Sequence, residues 1–190
     1  MDDTFFNIIH TSDWHLGQHF MGKSRQAEHK QFLAWLIEIA VAQHVDAIIV
    51  AGDIFDTGSP PSYARELYNQ FIVNLQVTGI HLIILGGNHD STATLGESKG
   101  LLAYLSTHVI PGALACAHEQ VILLNNADNE PQALICAIPF LRSRDILYST
   151  SGQSGSQKQQ NLQQAITDHY HIIYAIAEQQ QTIIQKKYLL

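Results

Sequence analysis

The sequence contains little cysteine. Its two cysteines, Cys116 and Cys136, are too few for a disulfide framework. Their spacing matches neither a zinc ribbon nor a redox pair. We therefore expect both to be reduced structural thiols, because free cysteine is among the residues that proteins most often bury.

Long apolar runs are also missing. None approaches the roughly 18 residues that a transmembrane helix needs, and the first residues, Met1–Thr4, are acidic where a secretory signal would be basic. We therefore expect a cytoplasmic protein with no membrane partner. The 190 residues, of which 46% are hydrophobic, suit one globular domain with a substantial core.

Basic residues are few. Ten lysines and arginines stand against 17 acidic residues, which gives a net charge of −7. Phosphate contacts need Lys and Arg, so this balance excludes a protein that holds nucleic acid by a basic surface alone. The 11 histidines are many for this length, but their number says little until their positions are considered.

The first half of the chain alternates strand and helix patterns. Short apolar runs at 5–11, 47–51 and 81–85 are typical of strands that are buried on both faces. Helical patterns lie between them, roughly at Arg25 to Gln43 and Ser62 to Gln76. With right-handed crossovers, this β-α-β-α-β order predicts an α/β fold with three parallel strands.

The pattern changes after Val109. Residues 121–124 and 133–137 predict two further strands, which extend or face the first sheet. Residues 149–160 are rich in Ser, Gly and Gln and predict a loop, and 162–181 predict a helix. There is no internal repeat, so we expect residues 1–190 to form a single domain.

Each of the first three predicted strands is followed by a polar cluster. The clusters are Asp13-Trp14-His15, Gly52-Asp53-Ile54-Phe55-Asp56 and Gly87-Asn88-His89-Asp90. Any one of them could be a helix cap or a hydrogen-bonded turn. In a parallel sheet, however, all three lie along one edge. Carboxylate, imidazole and amide ligands that converge there suit divalent metals such as Mg²⁺, Fe²⁺ or Zn²⁺, and favour Mn²⁺.

These clusters carry a family resemblance. In this order they are the signature of calcineurin-like metallophosphoesterases, whose core is a β-sheet sandwich flanked by helices. The segments 11–17, 51–64, 87–91 and 138–142 more specifically resemble the SbcD family of bacterial nuclease subunits. The likeness extends from about Asn7 to about Ile184, which is nearly the whole chain.

The resemblance implies a role for each cluster residue. Asp13 and His15 would bind a first metal ion, Asp53 would bridge two ions, and Asn88 would bind the second. A bridging carboxylate fits this chemistry because two close cations jointly polarise a phosphodiester and acidify an attacking water.

The same resemblance assigns the proton chemistry. His89 would be the catalytic histidine that protonates the leaving oxygen. Asp90, also catalytic, would orient His89, since carboxylates commonly fix a histidine tautomer. Asp56 would support the metal loop from behind the ligands.

The implied activity is that of a DNA exonuclease and endonuclease in DNA repair and recombination. Its partners would be DNA and an SMC-like ATPase of the SbcC type, in a heteromeric complex that contains a homodimer of this chain. A phosphatase or cyclic-nucleotide phosphodiesterase on the same core is an alternative.

A further alternative is an inactive binding or folding unit. The family completes its site with a Gly-His and a Gly-His-x-His segment, and neither occurs here, since no histidine follows His171. Residues 182–184 resemble the start of the strand that leads to the first of these segments. We therefore expect a piece of a longer protein or an interrupted gene product, incomplete at its C-terminus and without the family's capping and partner-docking regions. Alone, this chain would be inactive.

Several residues are candidates for substrate contact, although a solvated surface position is the simpler explanation for each one taken alone. Trp14 is expected to pack in the core rather than stack on a base. The candidates for DNA contact are His19, Lys23, Arg25, Arg65 and Arg142.

Overall fold

The computed structural model describes residues 5–126, 128–147 and 154–188. The chain forms two compact units, Met1–Pro111 and Gly112–Leu190. Among the described residues, no helix has both the length and the apolar character that crossing a membrane would require.

The first unit is built on a parallel sheet. Its strands are β1 (Ile8–Thr11), the hairpin strands β2 (His19–Phe20) and β3 (Lys23–Ser24), β4 (Ala47–Ala51), β5 (His81–Leu85) and β6 (Thr107–Ile110). The main sheet has the order β1-β4-β5-β6, and all of its pairs are parallel. The three parallel strands that the sequence predicts are confirmed. The fourth, β6, was missed because Thr107 and His108 interrupt its apolar pattern.

Helices cover the sheet. They are α1 (Gln26–Ala42), α2 (Ser62–Gln76), α3 (Thr92–Gly96) and α4 (Lys99–Leu102). The bounds of α2 match the prediction, and α1 is one residue shorter at each end. The buried strand residues Ile48, Val50, Leu82 and Ile84 pack with these helices into one core. Burying each such side chain stabilises the fold by about 1.5–3 kcal/mol.

The second unit combines an antiparallel pair with a long helix. Strands β7 (Val121–Asn125) and β8 (Pro131–Cys136) pair with each other, as predicted strands should, but they form their own two-stranded sheet and do not extend the parallel one. Helices α5 (Ser143–Ile146) and α6 (Gly155–Tyr188) follow. Ile173 and Ile176 of α6 are buried with Val121 in a small core.

Two predictions at the C-terminus are wrong. The loop predicted for 149–160 is helical from Gly155 onward, while 149–153 lies outside the described residues. The cause is a capping box: Gln157 N–H donates to Ser154 Oγ at 3.3 Å, and Ser154 N–H donates to Gln157 Oε1 at 3.0 Å. Residues 182–184 do not begin a strand but continue α6, where Thr182 Oγ donates to the Glu178 carbonyl at 2.9 Å.

The cysteines are as predicted in one respect only. Both Cys116 and Cys136 are free thiols, which agrees with the sequence analysis. Both are exposed, however, so the expected burial is wrong. Cys116 directly precedes a short 3₁₀ turn, and Cys136 is the last residue of β8.

Candidate metal centre

The loops that follow β1 and β4 are hydrogen-bonded to each other. Asp13 N–H donates to the Gly52 carbonyl at 3.1 Å, and His15 N–H donates to the Asp53 carbonyl at 2.9 Å. The parallel pairing of these strands therefore continues past their carboxyl ends. This continuation brings Asp13 and His15 alongside Asp53.

The side chains of Asp13, His15 and Asp53 converge. One ligand atom from each lies within 4.8 Å of the others, and His15 Nε2 is 3.6 Å from Asp13 Oδ1. Two ligands on one ion at about 2.1 Å are at most about 4.2 Å apart. The three donors therefore need to move by well under an ångström to share a divalent cation. The three residues therefore fit a divalent metal ion.

All three residues have strained backbones. Their φ values are +57° at Asp13, +45° at His15 and +51° at Asp53, in the left-handed region that non-glycine residues seldom occupy. Each such residue costs of order 1–3 kcal/mol and persists only where its surroundings enforce it. Concentration of strain at three converging ligands is typical of a functional site.

The loop after β5 closes against Asp53. The backbone N–H of His89 donates to Asp53 Oδ1 at 3.0 Å. A Cβ placed on Gly87 would lie 2.1 Å from the same oxygen, so only glycine allows this approach. Asn88, which is exposed, therefore lies between two residues that contact the Asp53 carboxylate.

Asp90 has a structural position that the sequence did not predict. Its buried carboxylate accepts backbone N–H groups from Gly87 at 2.8 Å, Phe55 at 2.9 Å and Ile54 at 3.2 Å. Burial raises the pKa of this carboxyl, while the three N–H groups lower it and the charge of Asp53 adds to the rise. Asp90 thus joins the loops after β4 and β5.

His89 contacts the loop that follows β4. Its Nδ1 lies 3.0 Å from the backbone carbonyl oxygen of Asp56, and its ring is 5.2 Å from the ring of His15, at an angle of 89°. In these contacts, the group that fixes the imidazole is the Asp56 carbonyl, whereas the Asp90 carboxylate faces backbone N–H groups.

Asp56 supports His15 as well. Its Oδ1 lies 3.5 Å from His15 Nδ1, on the ring edge away from Nε2 and Asp13. That nitrogen is buried and has no hydrogen bond, so the contact is a close approach and not yet a bond. A carboxylate in this place is suited to accept Nδ1–H when Nε2 binds a metal.

Trp14 packs in the core, as predicted. It is 5% exposed, lies edge-on to Phe32 and Phe71, and donates its indole N–H to Thr11 Oγ at 3.1 Å. This packing anchors the loop between the two ligands on either side of Trp14.

His29 was missed by the sequence analysis. It is 6% exposed on α1, its Nδ1 has no hydrogen bond, and burial followed by the charge of Arg25 lowers its pKa. The helical periodicity of the sequence does indicate this burial, because His29 occupies the same helical face as the buried residues Leu33, Leu36 and Ala40.

The predicted substrate residues are distributed over both units. His19, Lys23 and Arg25 are exposed at the hairpin that follows the first metal loop. Arg65 lines a cavity of about 530 Å³ between α2 and the α3–α4 segment. Arg142 belongs to the second unit, where its guanidinium lies 5.8 Å from the Phe140 ring centroid.

The sequence matches known proteins. Residues 6–159 match the calcineurin-like phosphoesterase family. Over 170 residues, the chain is 59% identical to the D component of the nuclease SbcCD from Escherichia coli (strain K12), and the match covers 90% of this chain and 42% of that protein. The chain thus spans less than half the length of this relative.

Two further relatives match smaller parts of the chain. The Rhodobacter capsulatus protein of the same name is 36% identical over 73% of this chain and 36% of its own length. "DNA double-strand break repair protein Mre11" of Sulfurisphaera tokodaii is 38% identical over 44% of this chain and 22% of its own length. The resemblance to the SbcD family that the motifs indicate is confirmed.

Proposed function

Because the chain belongs to the calcineurin-like phosphoesterase family, we propose that it carries the metal centre of a nuclease that hydrolyses phosphodiester bonds in DNA. The observation that carries this proposal is the convergence of Asp13, His15 and Asp53 on strained backbones. The names of the relatives point to DNA as the substrate.

We assign the ligands as the motifs suggest. Asp13 and His15 would hold one ion, Asp53 would be shared between two ions, and Asn88 would hold the second, with Mn²⁺ as the preferred metal for this mixed oxygen and nitrogen set. When bound, two divalent ions polarise the phosphodiester and lower the pKa of an attacking water. The Gly87 approach and the His89 N–H keep the Asp53 carboxylate oriented for this bridging position.

His89 moves the proton. With Nδ1–H donated to the Asp56 carbonyl, Nε2 is the nitrogen left to exchange a proton with the leaving oxygen. Removal of a general acid or base typically slows a reaction about 10²- to 10⁴-fold. Asp90 contributes by joining the loops that present these groups, and Asp56 by supporting His15.

The 190-residue chain by itself is proposed to be inactive. The described strand ends supply four candidate ligands, of which Asp53 must be shared, so a second ion has only Asp53 and Asn88 from protein. An ion with two protein ligands gains little over its hydrated state. We therefore expect weak Mn²⁺ binding at fewer than two sites.

Calorimetric titration with Mn²⁺, run beside a cleavage assay on linear duplex DNA, tests both statements. Two tight sites would contradict the expected weak binding. Clear metal-dependent cleavage by this chain would refute its inactivity. In a chain extended with the family's Gly-His and Gly-His-x-His segments, Asp53→Ala should abolish metal binding and cleavage together. His89→Ala should lose most of the cleavage activity, about 10²- to 10⁴-fold, but keep Mn²⁺ binding. Hydrolysis of small phosphoesters with no action on DNA would instead indicate a phosphatase.

The relatives' name SbcCD supports a proposed assembly with an SbcC component. As the resemblance of the motifs implies, we propose that this component is an SMC-like ATPase and that a second copy of this chain also takes part. Tyr104 of the first unit is 87% exposed, and we choose it to test for contact with the second copy. Light scattering of the chain and of Tyr104→Asp measures the mass of each. A monomeric mass for the unmodified chain at high concentration contradicts the dimer.

A further inference from the structure

The hairpin β2–β3 presents an apolar tip beyond the first metal loop. Phe20 is 66% exposed and Met21 is 88% exposed, with Met21 at a φ of +48° in the turn. Phe20 pairs with Lys23 across the hairpin. An exposed aromatic side chain beside basic ones marks a contact surface for a partner.

Phe20 also forms one wall of a cavity. The cavity has a volume of about 360 Å³ and is lined by Phe20, Lys23, Ser24, Arg25 and Glu28. It therefore combines one aromatic face, two cations and one carboxylate. A base stacks on an aromatic face, and a phosphate pairs with Lys and Arg. A carboxylate accepts a hydrogen bond from the exocyclic amino group of a base.

The hairpin is fixed to the metal loop. Gln18 N–H donates to the His15 carbonyl at 3.0 Å, and Arg25 Nη1 donates to Gln18 Oε1 at 3.0 Å. Ser24 Oγ donates to the Tyr63 hydroxyl of α2 at 3.0 Å. The cavity is therefore built on a scaffold that is continuous with a candidate metal ligand.

The cavity is close enough to the candidate metal centre for both to contact the same strand of nucleic acid. Phe20 follows His15 by five residues, which span at most about 18 Å. That length corresponds to about five base-pair steps along the axis of a duplex, at about 3.4 Å each.

We infer that this cavity binds one nucleotide of the DNA strand, within a few nucleotides of the bond that is cut. The inference rests on the proposed function. Its occupant is a nucleotide within a strand and not a free one, because two exposed cations beside Glu28 would hold the phosphates of a free nucleotide weakly. In a strand, neighbouring phosphates contribute to binding.

The test uses a single-stranded oligonucleotide with 2-aminopurine, whose fluorescence is quenched on stacking. The unmodified chain should quench it. Phe20→Ala should lose the quenching and bind about tenfold more weakly, while Phe20→Trp should retain both. Phe5→Ala is the matched control, because Phe5 is 82% exposed and does not line the cavity. Equal binding and quenching by Phe20→Ala and the unmodified chain would overturn the inference.

A salt titration tests the phosphate contacts. Lys23→Gln with Arg25→Gln should reduce the slope of log affinity against log salt by roughly 1–2. An unchanged slope would contradict the contacts. Competition by dAMP at the oligonucleotide's own concentration would show a free-nucleotide site and overturn the strand assignment.

Failure of this inference is distinguishable from failure of the proposed function. Mn²⁺ titration of Phe20→Ala should match that of the unmodified chain, since Phe20 is not a ligand. Mn²⁺ binding without stacking would contradict only the nucleotide-binding role of the cavity. Stacking without any Mn²⁺ binding would contradict the metal centre but would agree with the nucleotide-binding role.

Discussion

Each compact unit contains a turn that is held by a buried polar side chain, and the two differ in charge. In the first unit, the Asp90 carboxylate accepts three backbone N–H groups and joins two loops at the candidate metal centre. In the second, the Gln120 amide donates to the Ala137 carbonyl at 3.1 Å and accepts Leu114 N–H at 3.4 Å. A neutral amide suffices for structure. A buried anion, with its raised pKa, occurs where cations are expected.

The largest effect on stability is expected at Gly87. Gly87→Ala places a Cβ 2.1 Å from Asp53 Oδ1 and 2.2 Å from its backbone nitrogen, and should lower the free energy of unfolding by about 4 kcal/mol. Urea titration followed by tryptophan fluorescence measures it, because both tryptophans, Trp14 and Trp35, lie in the first unit. Gly100→Ala, in open space on α4, is the control and should be neutral or stabilising.

Asp90→Asn tests the anionic clamp. The substitution keeps the shape but turns an NH₂ group towards backbone N–H groups, so we expect a loss of about 3 kcal/mol. The same urea titration, followed by tryptophan fluorescence, measures the loss. Unchanged stability would mean that the carboxylate is not needed to join the loops.

Gln120→Glu is the reciprocal change in the second unit. It replaces the amide donor to the Ala137 carbonyl with a carboxylate oxygen, which should cost about 2 kcal/mol. Circular dichroism at 222 nm, to which α6 contributes strongly, follows this unit. A larger loss than that of Asp90→Asn would reverse the comparison between the two clamps.

The smallest effect is expected from His169. Burial lowers its pKa, so the unfolded chain binds its proton more readily, and stability is lost as the pH falls through 6.5 towards the lowered pKa. His169→Gln should lose less stability than the unmodified chain between pH 7.5 and pH 5 in thermal melts. His171→Gln, at an exposed position, is the control, and an equal benefit there would contradict the assignment.

The sequence predicted most of the first unit because its strands are apolar runs that end in distinctive clusters. Ala47–Ala51 and His81–Leu85 have the predicted bounds, and Asp13, His15 and Asp53 do converge. What it could not predict depends on contacts between distant residues. The three N–H groups at Asp90 come from residues 54, 55 and 87, and no local pattern encodes their meeting.

The second unit was predicted less well, for a physical reason. Periodicity located the helix within 162–181 but not its ends, because glutamine-rich sequence has high helix propensity without an apolar stripe. The helix starts where Ser154 and Gln157 form their capping box. The spacing of this pair is visible in the sequence, but the Ser and Gly residues around it favour a loop.

The joining of the three loops by Asp53 and Asp90 has a consequence for how metal reaches the centre. Loops that are already hydrogen-bonded do not have to fold around an incoming ion, so loading is separate from folding. The metal-free chain should therefore stay folded, unlike zinc fingers, and a chelator should lower the melting temperature only by the amount that the bound metal adds. Because divalent metals differ in intrinsic affinity for such ligands, the ion that a preformed centre carries depends on which metal the surroundings supply.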